Sequence, residues 1–424
     1  MFSKNIIKGT LVLSATGVLI KFLGFLFRIV LSRRTGSVNV GTYQLTLPVI
    51  ALCHAISISG IEITLSKRTA FLKNDADRIR NAIHCTFFSV GLGTICGIIL
   101  FAFSKLISGY FLHNMDCINL LRAMAFSIPF TCIHSMFYSY NIGKEKPIFP
   151  ALSQLTEQAV RIISLLLVTI KLDSAMAEVI ASITGELSAV LLCLINAGGK
   201  KIKKDFFRYS PSLLNTIFKL SYPVTLNRII LTAIQSIEVS FIPMMLELYG
   251  YTKEYALSYL GIITGMALPM ILFPTTLVNS FSLMMIPVIS KNRDSVKKIR
   301  NYSLMTIGLS VAFGIFCVAF FVIIGAKITA VMFNNSELVS ITKKLSPICP
   351  FIFMNVTLKT ILNSLDKSFN VLFNNVFSET VCLIFIVFLI PKYGIGAYLT
   401  GLITSQAISS ILNICSIKKI VRQT

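Results

Sequence analysis

The stretch IKFLGFLFRIVLSRR, residues 20–34, is apolar enough to cross a bilayer, yet it carries Lys21 and Arg28 inside it and ends on Arg33 and Arg34. A cation at the centre of a transmembrane helix costs about 2.5–3.5 kcal/mol on insertion scales, so such residues are rare unless something uses them. A spacing of seven is nearly two helical turns, which sets Lys21 and Arg28 on one face, about 10 Å apart along the axis. The preceding GTLVLSATG (9–17) is rich in small residues, as expected where helices approach closely or line a cavity.

The rest of the chain has the same character. Its 424 residues are 55% hydrophobic and 13% charged, where a soluble domain carries about 25% charged residues. The mean hydropathy is +0.79. These values define an all-α polytopic membrane protein with little room for a soluble domain. Twelve apolar windows fall near 6–31, 42–64, 82–103, 118–140, 148–170, 176–197, 221–246, 256–288, 301–323, 345–365, 368–390 and 396–416. Each reaches the ~20 residues a membrane crossing needs. The N-terminus has a basic start but no small-residue cleavage site, and reads as a retained first span.

With the N-terminus cytoplasmic, 24 of the 39 Lys and Arg residues lie in inner segments and nine in outer ones. That bias places both termini in the cytoplasm of a multi-pass cell-membrane protein. The net charge of +22 is then carried by loops facing anionic lipid headgroups, and no nucleic-acid partner is needed to explain it. The ten Cys form no CxxC pair, and the four His, at 54, 84, 113 and 134, are scattered. Neither a disulfide framework, nor a metal site, nor a cofactor is expected.

The two halves share landmarks in order. Leu47-Pro48 recurs as Leu268-Pro269, Ser66-Lys67 as Ser290-Lys291, and Ile79-Arg80-Asn81 as Ile299-Arg300-Asn301. Pro129-Phe130 recurs as Pro350-Phe351 and Glu157 as Glu379, all at offsets of 220 to 224 residues. Six spans per half make the repeats parallel, two six-helix lobes related by pseudo-two-fold symmetry, an architecture of secondary transporters. The lobes are expected at 1–200 and 201–424, joined by a basic cytoplasmic linker at about 196–220. Pro48, Pro223, Pro243, Pro269, Pro274 and Pro287 interrupt spans and mark expected bends.

KGTLVLSATGVLIKFLGFLFRIVLSRRTGSVNVGTYQ (8–44), SGIEITLSKRTAF (59–71) and GIITGMALPMILFPTTLVNSFSLMMIPVIS (261–290) resemble the stage V sporulation protein B family. That family belongs to the multidrug/oligosaccharidyl-lipid/polysaccharide exporter superfamily. The resemblance implies a flippase translocating an undecaprenyl-pyrophosphate-linked oligosaccharide, for peptidoglycan, spore cortex or another wall polymer, by alternating access. It implies lipid-linked oligosaccharide and anionic lipids as partners, and cell-wall synthesis enzymes as further candidates. Two departures stand out: family members often carry two further C-terminal spans, and Glu62 stands where a proline commonly follows the Gly-hydrophobe pair.

The family's first span carries basic residues matching Lys21, Arg28 and Arg33. A pyrophosphate crossing a low-dielectric interior needs fixed donors to replace its hydration, and the planar fork of Arg suits phosphate oxygens. Lys21, Arg28, Arg33, Arg228 and Lys359 are therefore the expected substrate-binding cations. The competing reading is snorkelling to the interface for Arg28, Arg228 and Lys359, and an interfacial anchor for Arg33. Glu157 and Arg161, spaced i,i+4, are expected to pair. Together with Glu186, Glu238 and Glu379 they either bind a coupling ion or balance neighbouring cations. Two rival functions stay open: a cation-coupled multidrug antiporter of the same superfamily, and a membrane enzyme acting on lipid-linked glycans. The enzyme reading is disfavoured because the outer loops are short and their carboxylates far apart, so no catalytic residue is expected.

Overall fold

The computed structural model describes residues 4–172, 174–197, 211–282, 296–365 and 367–423. Most of the expected basic linker, including Lys200, Lys201, Lys203, Lys204 and Arg208, lies outside these residues, as do Pro287 and the Ser290-Lys291 landmark. Among the described residues there is no strand, and eleven helical segments are long and apolar enough to cross a membrane.

Eleven segments accommodate twelve windows because the first, Thr16–Phe71, holds two of them in 56 residues. At 1.5 Å per residue it would run about 84 Å if straight, against about 30 Å of hydrocarbon. The break comes at Gly36, inside α1 (Lys4–His54), whose φ of 77° and ψ of 168° leave the helical region. Glycine adopts that φ without the Cβ clash other residues meet. The exposed Arg33 and Arg34 come just before the break, where a chain turning at a membrane surface places its cations.

The chain divides into two compact units, Met1–Ser236 and Ile237–Thr424. The first holds α1, α2 (Gly60–Phe71), α3 (Asp75–Leu106), α4 (Cys117–Gly143), α5 (Ile148–Val168), α6 (Ala175–Ala197) and the larger part of α7 (Pro211–Tyr249). Within it α3 packs on α4, α5 on α6, and α4 on α6. In the second unit Val296–Phe320 packs on Cys349–Ser364, Ser368–Ile384 on Ile395–Gln423, and Cys349–Ser364 on Ile395–Gln423. Third on fourth, fifth on sixth and fourth on sixth thus recurs, as a repeat requires.

Small residues make these contacts, since apolar lipid gives helices little hydrophobic reason to associate. A Cβ at Gly93 would lie 2.5 Å from Cys132 Sγ on α4, and one at Gly97 would lie 2.8 Å from the Ala125 carbonyl. In the second unit Gly314, 221 residues after Gly93, abuts Pro350 in the same way, at 2.5 Å from its Cα. Large side chains such as Phe87, Ile98, Phe316 and Ile323 are more than half exposed, which suits a lipid-facing surface.

The prolines act in three different ways. Pro48 stays inside a continuous helix. Pro274 falls at a turn after Leu268–Leu272. Pro269 follows a π-helical stretch at Gly261–Ala267, and Pro391 likewise follows one at Phe385–Leu389. A proline denies the preceding turn one hydrogen bond, and a widened turn absorbs the loss.

Candidate functional site

The first unit gathers charged side chains from four crossings. Arg28 comes from the first half of α1, Tyr43 from its second half, Arg161 from α5 and Glu178 from α6, all within electrostatic range of one another. Tyr43 and Glu178 are buried, each 3% exposed. Arg161 Nη2 donates to Tyr43 Oη over 3.3 Å, and the Tyr43 hydroxyl lies 3.5 Å from Ser182 Oγ. The Arg161 guanidinium also sits 4.2 Å from the ring centroid of the buried Phe27, close enough for a cation–π contact. Arg161 Nε and Glu178 Oε2 are buried without a hydrogen-bond partner.

The expected Glu157–Arg161 ion pair is not formed. Arg161 turns to Tyr43 and Phe27, whereas Glu157 Oε2 approaches His134 Nδ1 at 3.8 Å. Packing explains the divergence. The helix α5 contacts both α1 and α6, and α6 closes on it so tightly that a Cβ at Gly185 would lie 2.8 Å from the Glu157 carbonyl. Tertiary partners are thus available on both sides, and they displace the local pair.

His134 anchors the second group. Its Nδ1 lies 3.0 Å from Glu186 Oε1, and its Nε2 lies 3.1 Å from Ser153 Oγ. The histidines are scattered along the sequence, yet the fold carries this one onto a carboxylate 52 residues away in the chain. Gln158 Nε2 adds a long contact of 3.4 Å to Glu157 Oε1.

Of the five expected substrate cations, only Arg28 joins this centre, half-buried. Lys21, Arg33 and Arg228 are exposed, and Arg228 lies within electrostatic range of Glu62. Lys359 is half-buried in the second unit, in range of Glu379. Glu379 in turn acts on Glu238, which is 8% exposed and whose Oε1 has no hydrogen-bond partner. Sequence reasoning missed Glu178, Tyr43, His134 and Ser153. One signal was available: Glu178 and Glu186 are eight residues apart on α6, and so share a face.

The fold defines a class: a multi-pass, all-helical membrane protein whose described residues divide into two units. An inward-facing multidrug resistance MATE family transporter of the MOP superfamily superposes with a TM-score of 0.77 at 13% identity, covering 95% of both chains. The lipid II flippase MurJ, in an inward closed conformation, superposes with a TM-score of 0.75 at 14% identity, covering 96% of this chain and 87% of that one. More particularly, the chain belongs to the polysaccharide biosynthesis protein family, whose model matches residues 6–293. Stage V sporulation protein B of Bacillus subtilis (strain 168) is 24% identical over 99% of this chain and 85% of its own length. The two superposed structures are thus a transporter and a flippase by name.

Proposed function

We propose that the protein flips an undecaprenyl-pyrophosphate-linked oligosaccharide outward across the cytoplasmic membrane by alternating access, with both termini inside. The observation that carries this reading is the gathering of Arg28 and Arg161 within electrostatic range of each other inside one unit, with the buried Glu178 in range of both. Two guanidiniums gathered in one place offer an anionic headgroup their planar forks, which suit phosphate oxygens. Lys21, exposed on the same helix, is assigned the approaching headgroup, and Lys359 and Arg228 the same task from other helices. Family membership and the likeness to a flippase support the direction of the argument.

A second reading has its own observation. Glu157 and Glu186 lie beside this centre and with Glu178 bring its carboxylates to three, which suits a cationic cargo and a multidrug antiporter. Depleting a host's endogenous lipid II flippase separates the two. Rescue by wild type and not by Arg28→Ala supports the flippase, and rescue by both removes the Arg28 assignment. Resistance to cationic dyes without rescue favours the antiporter.

A further inference from the structure

His134, Glu157 and Glu186 converge from α4, α5 and α6, and their ligand atoms all lie within 4.8 Å of one another. We propose that they bind one divalent transition cation, of the zinc class, through His134 Nδ1 and one carboxylate oxygen from each glutamate. Four observations carry the proposal.

Hydrogen-bond direction comes first. Ser153 Oγ donates its proton to the Pro150 carbonyl at 2.9 Å, so at 3.1 Å it accepts from His134 Nε2–H. In the neutral ring this leaves the lone pair of Nδ1 facing Glu186 Oε1 at 3.0 Å and Glu157 Oε2 at 3.8 Å, and only a doubly protonated ring could donate there instead. Three electron-rich atoms face one another in a water-poor interior, and a cation between them resolves the conflict. A metal-binding imidazole almost always hands its other N–H to an outer acceptor, as His134 does to Ser153.

Charge is the second. Among the described residues no Lys or Arg forms an ion pair with Glu157 or Glu186. Arg161 is in electrostatic range of Glu157 but directs its guanidinium at Tyr43 and Phe27. His54 is in range of Glu186, and its buried Nε2 has no hydrogen-bond partner. Two carboxylates balance a 2+ ion, whereas an imidazolium would leave a net negative charge.

The third is geometry. Zinc bonds of about 2.0–2.2 Å in a tetrahedron place neighbouring ligand atoms about 3.3 Å apart, and the separations of 3.0 and 3.8 Å bracket that value. Side-chain exposures of 19% for Glu157 and 13% for Glu186 show that protein does not close the site completely, which leaves room for a fourth ligand.

The repeat is the fourth. At offsets of 220 to 222 residues His134 corresponds to Asn355, Glu186 to Gln406 and Glu157 to Glu379. In the second unit Asn355 Nδ2 donates to Gln406 Oε1 at 3.1 Å. A neutral amide pair thus fills the same position, so helix packing alone does not require the charged version.

The decisive experiment titrates ZnCl2 calorimetrically into the full-length, chelator-stripped protein in detergent, with NaCl and MnCl2 as comparisons. The test variant is H134N/E186Q, which writes the second unit's amide pair into the first. Wild type is expected to bind one equivalent of zinc, and the double variant to bind it at least a hundredfold more weakly while melting at the same temperature without metal. Absence of saturable one-equivalent binding, or equal affinity in the variant, overturns the proposal. Zinc-edge X-ray absorption on wild type gives an answer independent of variant folding. One nitrogen and two protein oxygens are expected in the first shell, and sulfur ligands there would place the zinc on cysteines and overturn the site.

Discussion

Replacing Arg161 by methionine isolates the energetics of the central cluster. The guanidinium makes three contributions: the face-on contact with Phe27 at 4.2 Å, the hydrogen bond to Tyr43 at 3.3 Å, and partial neutralisation of Glu178, which is 3% exposed. A desolvated cation–π contact contributes about 1–2 kcal/mol. A hydrogen bond from a charged donor contributes about 1.5 kcal/mol at this length, the low end of its range. The third contribution concerns the group left behind, because removing one partner of a buried charged set strands the other. In total such a deletion costs about 3–5 kcal/mol. Methionine keeps most of the volume, so little of the loss is cavity formation. Adding Glu178→Gln to Arg161→Met removes the stranded charge and is expected to return about 2 kcal/mol, within the range of coupling energies for residues of one charged network. Arg161→Lys should fall between, keeping charge but losing the planar stack. Equilibrium unfolding in mixed micelles, run on the four members of the cycle, measures these differences. A cost below about 1 kcal/mol for Arg161→Met, or strict additivity with Glu178→Gln, would refute the reasoning.

Three further outcomes follow from packing and polarity. A Cβ at Gly60 would collide with the Ser221 carbonyl and Thr225 Oγ1, whereas one at Gly17 meets nothing within 4 Å. Gly60→Ala should therefore destabilise the detergent-purified protein by about 1–3 kcal/mol, and Gly17→Ala should leave its melting temperature unchanged. Asn355 donates to the Gln406 carbonyl at 2.9 Å and accepts from Ser410 Oγ at 3.1 Å, so Asn355→Leu strands buried partners and should cost about 1–3 kcal/mol in the same assay. The Lys144–Asp75 pair at 3.0 Å involves an Asp75 side chain that is 65% exposed. Asp75→Asn should cost under about 1 kcal/mol, a difference that vanishes in high salt.

What the sequence disclosed and what it concealed divide along a physical line. Hydropathy and length set the crossings, because each helix must satisfy its own backbone in lipid, and the double crossing in Thr16–Phe71 hid only its turn at Gly36. The Pro129/Pro350 repeat signalled a packing relation that Gly93 and Gly314 then make concrete. Side-chain partnerships were less legible. Glu157 and Arg161 met the i,i+4 rule, yet His134 on α4 and Tyr43 on α1 compete for them at short range. Local spacing reports what two residues can reach, and only the tertiary fold decides which partner lies closer. The same holds for Lys21 and Arg28, which a shared helical face paired and the fold separates into one exposed and one half-buried side chain.

The most direct test reconstitutes the purified protein in liposomes with a fluorescent undecaprenyl-pyrophosphate oligosaccharide and follows its arrival in the outer leaflet by quenching. Wild type should move the lipid. Lys21→Ala and Arg28→Ala should each slow it at least tenfold, a barrier change of about 1.4 kcal/mol or more. An inside-negative potential should speed transport, since each charge crossing it gains about 2.3 kcal/mol per 100 mV. No movement of the lipid by wild type, alongside proton- or sodium-driven efflux of a cationic dye from the same liposomes, would contradict the account.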